Sequence, residues 1–551
     1  MRSKATSDVW WKNAVLYCLP VQCFLDADGD GRGDLQGLTD RLDYLSGIGV
    51  TCLWLMPFHP SPGRDDGYDI SDFYGVHPEL GTHGDFAEML RTARDRGIRV
   101  IADLVMNHTS DQHPWFQAAR ADRDSPYRDF YVWVDEKPEE KPGDVVFPDH
   151  ESSNWAWDDE AGQYYLHRFY SFQPDLNIAN PQVRDEIAQV VGFWLDQGLS
   201  GFRVDAVPFM LEPMGLPEGA LQDPHELLRD LRRFLSRRAG EAILMGEVNL
   251  DPEQQREFFG DEDGDELHMV LSFTVNQALF LALARERAAP IADALRSLPA
   301  IPEDAQWANF VRNHDELTLD KLSESERAEV FAAFGPEEDH QLYGRGLRRR
   351  LPTMLGGDPD RIRLAYSIAF SLPGTPVLFY GEEVGMAENL DLEGRMSVRS
   401  PMQWAPERHD GFTTADEPFR PLAEDPGDIN VAQQRRDAQS LLNWIERMVR
   451  RRKECPELGW GACSLLDTGE PSVLAHRSDW AGSTIVAAHN LAEHPAACEL
   501  VLDDAGPDAV LVDLFDHDER AIGDDGRVSL ELGRYGARWY RLRRAGQRIA
   551  P

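Results

Sequence analysis

The 551-residue chain is 42% hydrophobic and 10% aromatic, and it carries a net charge of −40 at pH 7. The hydrophobic fraction argues against a disordered chain, and the length predicts two or three domains. The charge argues against nucleic acids and anionic membranes as partners, because both would be repelled. A neutral small-molecule substrate is compatible with this charge.

Targeting and redox signals also limit the class of protein. The first eleven residues, MRSKATSDVWW, lack the apolar region of a secretion signal. No apolar run reaches the ~20 residues that a membrane-spanning helix needs. The six cysteines have no metal-ligand spacing and are expected to be reduced core residues. We therefore expect a cytoplasmic protein without a membrane partner, and the sequence leaves homo-oligomerisation open.

Apolar runs alternate with amphipathic stretches along most of the chain. The eight candidate strands are Val15–Leu19, Val50–Met56, Val100–Met106, Gly201–Ala206, Ala242–Gly246, Met269–Phe273, Trp307–Val311 and Thr375–Tyr380. Helical patterns such as Gly84–Arg96, Gln182–Gln197 and Pro224–Ala239 lie between most of them. This alternation predicts an α/β fold, and eight units predict a closed (β/α)8 TIM barrel.

Interruptions of this alternation of strand and helix patterns predict further domains. Residues 107–200 separate the third and fourth candidate strands and are rich in aromatic residues, which predicts an inserted domain. After residue 455, short alternating runs with turn residues predict an all-β domain. We assign 1–108 and 178–455 to the barrel (domain A), 109–177 to the inserted domain B, and 456–551 to a C-terminal β-sandwich (domain C). A charged insertion at Ser323–Gly357 is either a solvated helix and loop or a functional element.

Three carboxylates stand at the ends of apolar runs. Asp205, Glu247 and Asp315 each follow a predicted buried strand, and catalytic residues of a barrel lie at that end of its strands. Arg203 lies on the same strand face as Asp205 and is expected to lower the pKa of that carboxyl, whereas burial is expected to raise the pKa of Glu247. Two such carboxyls ~5 Å apart are what a retaining glycosidase needs. A structural Arg–Asp ion pair is the alternative, but it explains three such segments poorly.

The segment from residue 26 to residue 34 has the composition of a cation-binding loop. Its acidic positions 1, 3, 5 and 9 are Asp26, Asp28, Asp30 and Asp34, and the carbonyl of Arg32 stands at position 7. Oxygen ligands at this density are typical of a hard cation. Position 12 is Gly37, so the loop is not an EF-hand. We expect a structural Ca²⁺ here, and a metal-free acidic turn is the alternative.

Several separate segments resemble one enzyme family. They are DLVMNH at 103–108, QPDLN at 173–177, GFRVD at 201–205, Glu247 and FVRNHD at 310–315, with GYD at 67–69. Together they look like the signature regions of the α-amylase family, glycoside hydrolase family 13. The resemblance implies that Asp205 is the nucleophile, Glu247 the general acid and base, and Asp315 the stabiliser of the transition state. It also implies substrate binding by Tyr68, His108, Phe172, Gln173, Arg203 and His314.

Further segments are similar to the family members that interconvert maltose and trehalose by intramolecular glucosyl transfer. They are PFHPSPGRDDGYD at 57–69, NHTSDQHPWF at 107–116, NHDELTL at 313–319, RSPMQW at 399–404 and CPELGW at 455–460. The resemblance implies a small α-glucoside substrate in a pocket that a pair of Asp65 and Arg399 closes. An exo-acting α-glucosidase or amylase would use the same catalytic residues, so hydrolysis stays open. A non-catalytic binding protein is disfavoured because all three carboxylates are present.

The resemblance also implies a second calcium site. Its ligands would be the side chains of Asn107, Asp175 and Glu212 with the backbone carbonyls of Phe209 and Met210. As for the first site, the role implied for the ion is structural.

Overall fold

The computed structural model describes residues 9–547, except 141–142, 144, 213, 218–219, 424–428 and 517. The first eight residues, which carry most of the prediction about a secretion signal, lie outside the described part. Within that part, no helix combines the length and the apolar composition that a membrane span requires. The cytoplasmic location and the oligomeric state therefore stay predictions.

The chain forms 22 strands and 16 α-helices within the described residues. The strands are β1 (Leu16–Leu19), β2 (Cys52–Leu55), β3 (Arg99–Leu104), β4 (Trp133–Val134), β5 (Trp155–Asp158), β6 (Gln163–Leu166), β7 (Gly201–Val204), β8 (Ile243–Gly246), β9 (Met269–Leu271), β10 (Gln306–Phe310), β11 (Leu317–Thr318), β12 (Gln341–Leu342), β13 (Gly346–Leu347), β14 (Thr375–Phe379), β15 (Ala462–Leu466), β16 (Val473–Trp480), β17 (Ser483–Asn490), β18 (Ala496–Val501), β19 (Val510–Asp513), β20 (Glu519–Ala521), β21 (Arg527–Leu532) and β22 (Ala537–Arg543). The helices are α1 (Leu35–Asp40), α2 (Leu42–Ile48), α3 (His83–Asp95), α4 (Pro114–Ala121), α5 (Pro181–Gln197), α6 (Val207–Leu211), α7 (Glu226–Arg238), α8 (Pro252–Glu257), α9 (Phe273–Arg285), α10 (Ala289–Ser297), α11 (Glu324–Phe334), α12 (Leu351–Met354), α13 (Pro359–Ser371), α14 (Val431–Gln434), α15 (Leu441–Lys453) and α16 (Glu457–Trp460).

Eight parallel strands close into a barrel in the order β1-β14-β10-β9-β8-β7-β3-β2. Each of the eight predicted apolar runs overlaps one of these strands to within one residue at its start or contains it, so the predicted (β/α)8 fold is confirmed. The strands are buried nearly throughout, because side chains fill the barrel on one face and helices cover the other. Continuous apolar runs, rather than alternating ones, are the sequence pattern of such strands.

The helices between the barrel strands begin and end at recognisable residues. Asn180 caps α5 by accepting a hydrogen bond from the backbone N–H of Gln182, and Pro181 occupies the first turn. Gly198 ends the same helix at φ 115°, a conformation that favours glycine. These local signals explain the match of the predicted helix at α5, and the predicted helices at α3 and α7 also agree with the structure within a few residues.

Two small sheets are inserted at the carboxyl end of the barrel. Strands β4, β6 and β5 form an antiparallel sheet between β3 and β7, within the predicted domain B. Strands β11, β13 and β12 form a second sheet after β10, in which β12 and β13 belong to the charged insertion and β11 precedes it. Both insertions follow strands whose carboxyl ends carry polar residues, so both are placed to wall a site at that face.

The C-terminal region is all-β, as predicted. Strands β15-β16-β17-β22-β19-β20 form one sheet and β18-β21 another. A hydrophobic core that includes Val486, Leu500, Leu511 and Leu530 lies between them. Helix α13 of the barrel packs against β17 and β22 of this region. The exact domain boundaries stay a prediction.

Candidate active site

Three carboxylates gather at the carboxyl end of the barrel. Asp205 directly follows β7, Glu247 directly follows β8, and Asp315 follows β10. One guanidinium joins two of them, since Arg203 donates from Nη1 to Oδ1 of Asp205 at 2.5 Å and from Nη2 to Oε2 of Glu247 at 2.7 Å. The structure therefore brings the predicted nucleophile and the predicted general acid to opposite nitrogens of a single side chain.

Arg203 is fixed below these two carboxylates. Its side chain is 1% exposed, and its Nη1 also donates to Oδ1 of Asp103 at 2.8 Å. Its guanidinium lies 5.2 Å from the ring of Trp54. Three ion pairs and a cation–π contact hold the guanidinium in one orientation, so the carboxylates it touches are pre-positioned.

Burial controls the protonation of the two carboxyls. It raises the pKa of Asp205 to about 6 and that of Glu247 to about 7, against the opposing charge of Arg203. The expectation that Arg203 would lower the pKa of Asp205 is therefore wrong in its net direction, because desolvation outweighs the ion pair. Glu247 still loses its proton at the higher pH, which is the order that a nucleophile and a general acid need.

Asp315 is held in the charged form. Arg395 and Arg399 both donate to its Oδ1, at 2.8 and 2.9 Å, and His314 Nε2 lies 3.3 Å from its Oδ2. Burial alone would raise the pKa of Asp315, but the contact with His314 and the charges of the two arginines hold it well below its usual range. Such a carboxylate can accept hydrogen bonds from sugar hydroxyls and face a developing positive charge.

A chain of polar side chains surrounds the carboxylates. The hydroxyl of Tyr68 donates to Oδ2 of Asp103 at 3.0 Å and lies 2.7 Å from Nε2 of His314. Nε2 of His108 lies 3.2 Å from the backbone carbonyl of Tyr68, and burial lowers the pKa of His108 to about 4. His108 is therefore a neutral hydrogen-bonding group near pH 7. The structure thus brings His108 and His314 to opposite ends of Tyr68, its backbone carbonyl and its hydroxyl, and the binding of substrate by these residues stays a prediction.

Asp65 and Arg399, which were expected to pair with each other, have other partners in the structure. Asp65 accepts from Arg395 Nη2 and from Gln173 Nε2, both at 2.9 Å. Arg399 instead donates to Asp66 Oδ2 at 2.9 Å, as well as to Asp315. Arg395 lies in a short helical turn, Gly394–Val398, and Arg399 directly follows it, so only the three-dimensional course of this turn decides which arginine faces Asp65.

Residues at the edge of the site complete its wall. Phe172 lies beneath the guanidinium of Arg64 at 4.3 Å and stacks on Tyr170 at 4.9 Å. A cavity of about 730 Å³ opens from Glu247 and Asp315 toward the inserted sheets. Its other lining residues include Phe147, Phe169, Phe209, Phe273, Arg345 and Arg395. Arg395 had no sequence signal of its own, because an arginine in a long loop has many alternative partners.

The acidic loop brings together three of the four carboxylates that were predicted to bind a hard cation. One carboxylate oxygen from each of Asp26, Asp28 and Asp34 lies within 4.8 Å of the other two. Asp30 is outside this group, and its carboxylate accepts from the backbone N–H of Arg32 at 2.8 Å. The side chain of Arg32 points away to Glu79, at 3.0 Å, as expected if only its carbonyl were a ligand. Three clustered carboxylates are a suitable oxygen set for Ca²⁺.

The second predicted cation site contains a guanidinium. Arg168 Nη1 donates to Oε2 of Glu212 at 2.5 Å, and Arg168 Nε lies 3.6 Å from Oδ2 of Asp175. Asn107 donates to the other oxygen of Asp175 at 3.1 Å. The backbone carbonyls of Phe209 and Met210 lie on α6, just before Glu212. A divalent ion here would have to displace Arg168 from Glu212, so these residues fit a cation less well than the acidic loop does.

Comparisons with known proteins agree with this geometry. The family described as the catalytic domain of α-amylase matches residues 19–331 and 347–461. The chain belongs to the α-amylase family. The C-terminal domain of sucrose hydrolase-like proteins matches residues 482–541. The match to the α-amylase family includes all three carboxylates, so their arrangement belongs to an enzyme that acts on α-glucosides.

Individual members of the α-amylase family are similar over nearly the whole chain. A trehalose synthase of Pimelobacter sp. is 42% identical, over 90% of this chain and 89% of its own length. A trehalose synthase/amylase of Mycobacterium tuberculosis is also 42% identical, over 97% of this chain and 90% of its own length. The solved structure of a trehalulose synthase from Pseudomonas mesoacidophila is 28% identical over 97% of this chain and 99% of its own, with a TM-score of 0.77.

Proposed function

We propose that this enzyme interconverts maltose and trehalose by intramolecular glucosyl transfer through a covalent glucosyl-enzyme. The observation that carries the proposal is the guanidinium of Arg203, which holds Asp205 and Glu247 side by side in a buried site. The similarity to two trehalose synthases at 42% identity favours transfer between the two disaccharides over other reactions of the family.

The first step breaks the glycosidic bond of maltose. A carboxylate oxygen of Asp205 forms a bond to the anomeric carbon, and Glu247 donates its proton to the departing glycosidic oxygen. The glucose released keeps that proton as its new hydroxyl, and the other glucosyl unit is attached to Asp205 in the β configuration. The raised pKa of Glu247, about 7, keeps a substantial fraction of it protonated at neutral pH.

The second step forms trehalose. The released glucose turns within the cavity, and its anomeric hydroxyl attacks the carbon bonded to Asp205. Glu247 takes the hydroxyl proton as the bond to Asp205 breaks, which restores both carboxyls to their starting states. Two inversions give net retention at the transferred glucosyl unit. Asp315 stays ionised in both steps and faces the positive charge that develops at the reacting sugar.

Hydrolysis is the second candidate function, because water can replace glucose in the second step with the same residues. The Mycobacterium tuberculosis relative is named for both activities, which favours some hydrolysis beside transfer. A retaining α-glucosidase would release only glucose from maltose. The two functions therefore differ in the product and not in the catalytic residues.

One incubation separates the two functions. Purified enzyme with maltose should accumulate trehalose, with glucose as a minor product. Asp205→Asn should abolish both products, because the amide cannot form the glucosyl-enzyme, whereas Asp525→Asn, at an exposed position in the C-terminal domain, should change neither. Glucose without trehalose would establish the hydrolase, and full activity of Asp205→Asn would refute the assignment of the nucleophile.

We also propose that the acidic loop binds Ca²⁺ in a structural role. Asp34 supports this role, since it caps α1 by accepting from the backbone N–H of Gly37 at 2.6 Å. The loop therefore joins β1 to α1, and an ion bound by Asp26, Asp28 and Asp34 would relieve the repulsion of their charges. The loop lies outside the cavity that contains Glu247 and Asp315, so we expect the ion to take no part in bond cleavage.

A further inference from the structure

A second cavity, of about 250 Å³, lies between the acidic loop, the loop after β2 and residues 419–420. We call it the side cavity. Among the described residues, it shares no lining residue with the active-site cavity. Asp66, which lines the side cavity, accepts from Arg399 at 2.9 Å, and Arg399 also binds Asp315. The buried ion pair of Asp66 and Arg399 therefore separates the side cavity from the catalytic carboxylates.

A chain of hydrogen bonds fixes the polar wall of the side cavity. Arg32 donates from Nη1 to Oε1 of Gln22 at 2.6 Å, and Gln22 donates from Nε2 to Oδ1 of Asp66 at 2.5 Å. The same oxygen of Asp66 accepts from Nη2 of Arg420 at 2.8 Å. Nε of Arg32 lies 3.0 Å from Oε2 of Glu79. These side chains therefore have defined positions before a ligand binds, which lowers the entropy that binding costs.

The charges of this wall balance. Arg32 and Arg420 supply two positive charges, and Asp66 and Glu79 supply two negative charges. A charged ligand would leave one sign in excess, so the wall favours a neutral ligand. Within the described residues, the side chain of Arg32 bonds to Gln22 and Glu79, which leaves part of its five donors for a ligand. The carboxylate of Glu79 is half exposed and can accept further hydrogen bonds.

The side cavity also has an apolar part. The ring of Phe419 lies 4.3 Å from the guanidinium of Arg32, and Pro57 and Pro62 line the cavity as well. A hexose combines hydroxyl groups at its edge with apolar C–H faces, so it matches both parts of the wall. Guanidinium and carboxylate groups present paired donors or acceptors, which suit neighbouring hydroxyls. The volume holds one hexose and is too small for a disaccharide.

We propose that the side cavity is a second, non-catalytic sugar site that binds one hexose such as glucose. Arg32 would donate to a hydroxyl oxygen, Glu79 would accept from a hydroxyl group, and Phe419 would contact a C–H face. Because Asp66 and Arg399 stand between this sugar and the catalytic carboxylates, it would not be a substrate. The inference concerns free sugar, so it does not depend on whether glucose or water receives the glucosyl unit.

Glucose binding to an inactive enzyme tests the proposal. In Asp205→Asn with saturating maltose, the disaccharide occupies the active site and is too large for the side cavity. Equilibrium dialysis with radiolabelled glucose should then detect one glucose per chain. Adding Arg32→Met, which keeps the apolar stem and removes the guanidinium, should weaken this binding by about tenfold, the factor for one lost hydrogen bond of a charged donor. Gln22→Leu should weaken it as well.

Arg99→Met is the matched control. The guanidinium of Arg99 also lies over an aromatic ring, 4.9 Å from that of Trp10, and pairs with exposed Glu241 at 2.7 Å. The side chain of Arg99 is 34% exposed and that of Arg32 is 28% exposed. Arg99 begins β3, so it lies at the opposite end of the barrel from the side cavity. Glucose binding should therefore be unchanged in this variant.

The outcomes separate the site from its alternatives. One glucose per chain that Arg32→Met and Gln22→Leu weaken and Arg99→Met retains supports the proposal. No glucose bound beside maltose would overturn it. Binding that Arg32→Met and Gln22→Leu leave unchanged would also overturn it, because that glucose would lie elsewhere.

A crystal structure of the unsubstituted enzyme with glucose gives a check that needs no variant. We expect electron density for one hexose against Arg32 and Phe419. An empty side cavity at a glucose concentration above the measured dissociation constant would contradict the proposal. Glucose instead of trehalose as the product from maltose would refute the proposed function and leave this inference intact.

Discussion

Arg395 donates to Asp65 at 2.9 Å across the active site, joining the segment after β14 to the loop after β2. Through its other nitrogen it also binds Asp315. Both carboxylates are candidates for binding sugar hydroxyls; Asp65 is buried and Asp315 is partly buried. A single guanidinium therefore bridges two carboxylates that are largely shielded from water.

Removing this arginine should damage catalysis. Arg395→Ala would leave Asp65 without its charged partner and Asp315 with Arg399 as its only arginine, and we expect kcat/KM for maltose to fall by about 100-fold or more. Arg395→Lys should restore part of the loss, because it can compensate one carboxylate but not both in a fixed geometry. Arg534→Ala, which removes an exposed arginine paired with Asp358, serves as the control. Unchanged steady-state kinetics in folded Arg395→Ala would contradict this role.

The pH dependence of kcat/KM should be bell-shaped. The acidic limb reports protonation of Asp205, with a pKa of about 6, and the alkaline limb reports loss of the proton of Glu247, at about 7. The two groups interact, so the observed values belong to the pair. An α-glucoside whose leaving group needs no protonation should lose the alkaline limb and keep the acidic one. A flat profile between pH 5 and 8 would rule out this pair as the titrating groups.

Two buried histidines should make stability fall at acidic pH. His476 and His489 stack at 6.2 Å between β16, β17 and α13, where they contact Ser371 and Ser367. Burial lowers their pKa values to about 4 and about 3. These folded-state values lie below those of the unfolded chain, so the stability is complete above pH ~6.5 and is lost as the pH falls. At pH 5 each histidine should cost about 2 kcal/mol of unfolding free energy.

Denaturant unfolding at several pH values measures this effect. His489→Gln replaces an ionisable side chain by a neutral one. It should therefore lower the number of protons taken up on unfolding, which sets the slope of stability against pH, by about one. The same slope in His489→Gln and wild type would show that this histidine does not titrate on unfolding.

Calcium should raise the thermal stability. If the acidic loop binds Ca²⁺ in the folded state only, an ion concentration 100 times the dissociation constant adds about 2.7 kcal/mol. Chelation should then lower the melting temperature, and added Ca²⁺ should restore it. Asp28→Asn should weaken this response, whereas Asp263→Asn, at another exposed acidic position, should retain it. Identical melting curves with chelator and with Ca²⁺ would refute the site.

The sequence by itself determined the parts of this protein that depend on local pattern. Eight continuous apolar runs, separated by helical patterns, specify the barrel, since parallel strands covered on both faces require that pattern. Asp205 and Glu247 directly follow their strands, so the barrel geometry brings them to one face without further information. The contact between Arg203 and Asp205 follows from their spacing of two residues, at the end of β7 and directly after it.

Only the tertiary structure decided the partners that come from distant segments. Asp65 pairs with Arg395 and not with Arg399, and Tyr343 meets Phe147, because loops far apart in the chain pack together at the top of the barrel. The pKa of Asp205 also required the structure, since the balance between burial and an ion pair depends on how completely water is excluded. Spacing in a sequence specifies which residues share an element, whereas long-range packing specifies which loop side chains meet and how far they are desolvated.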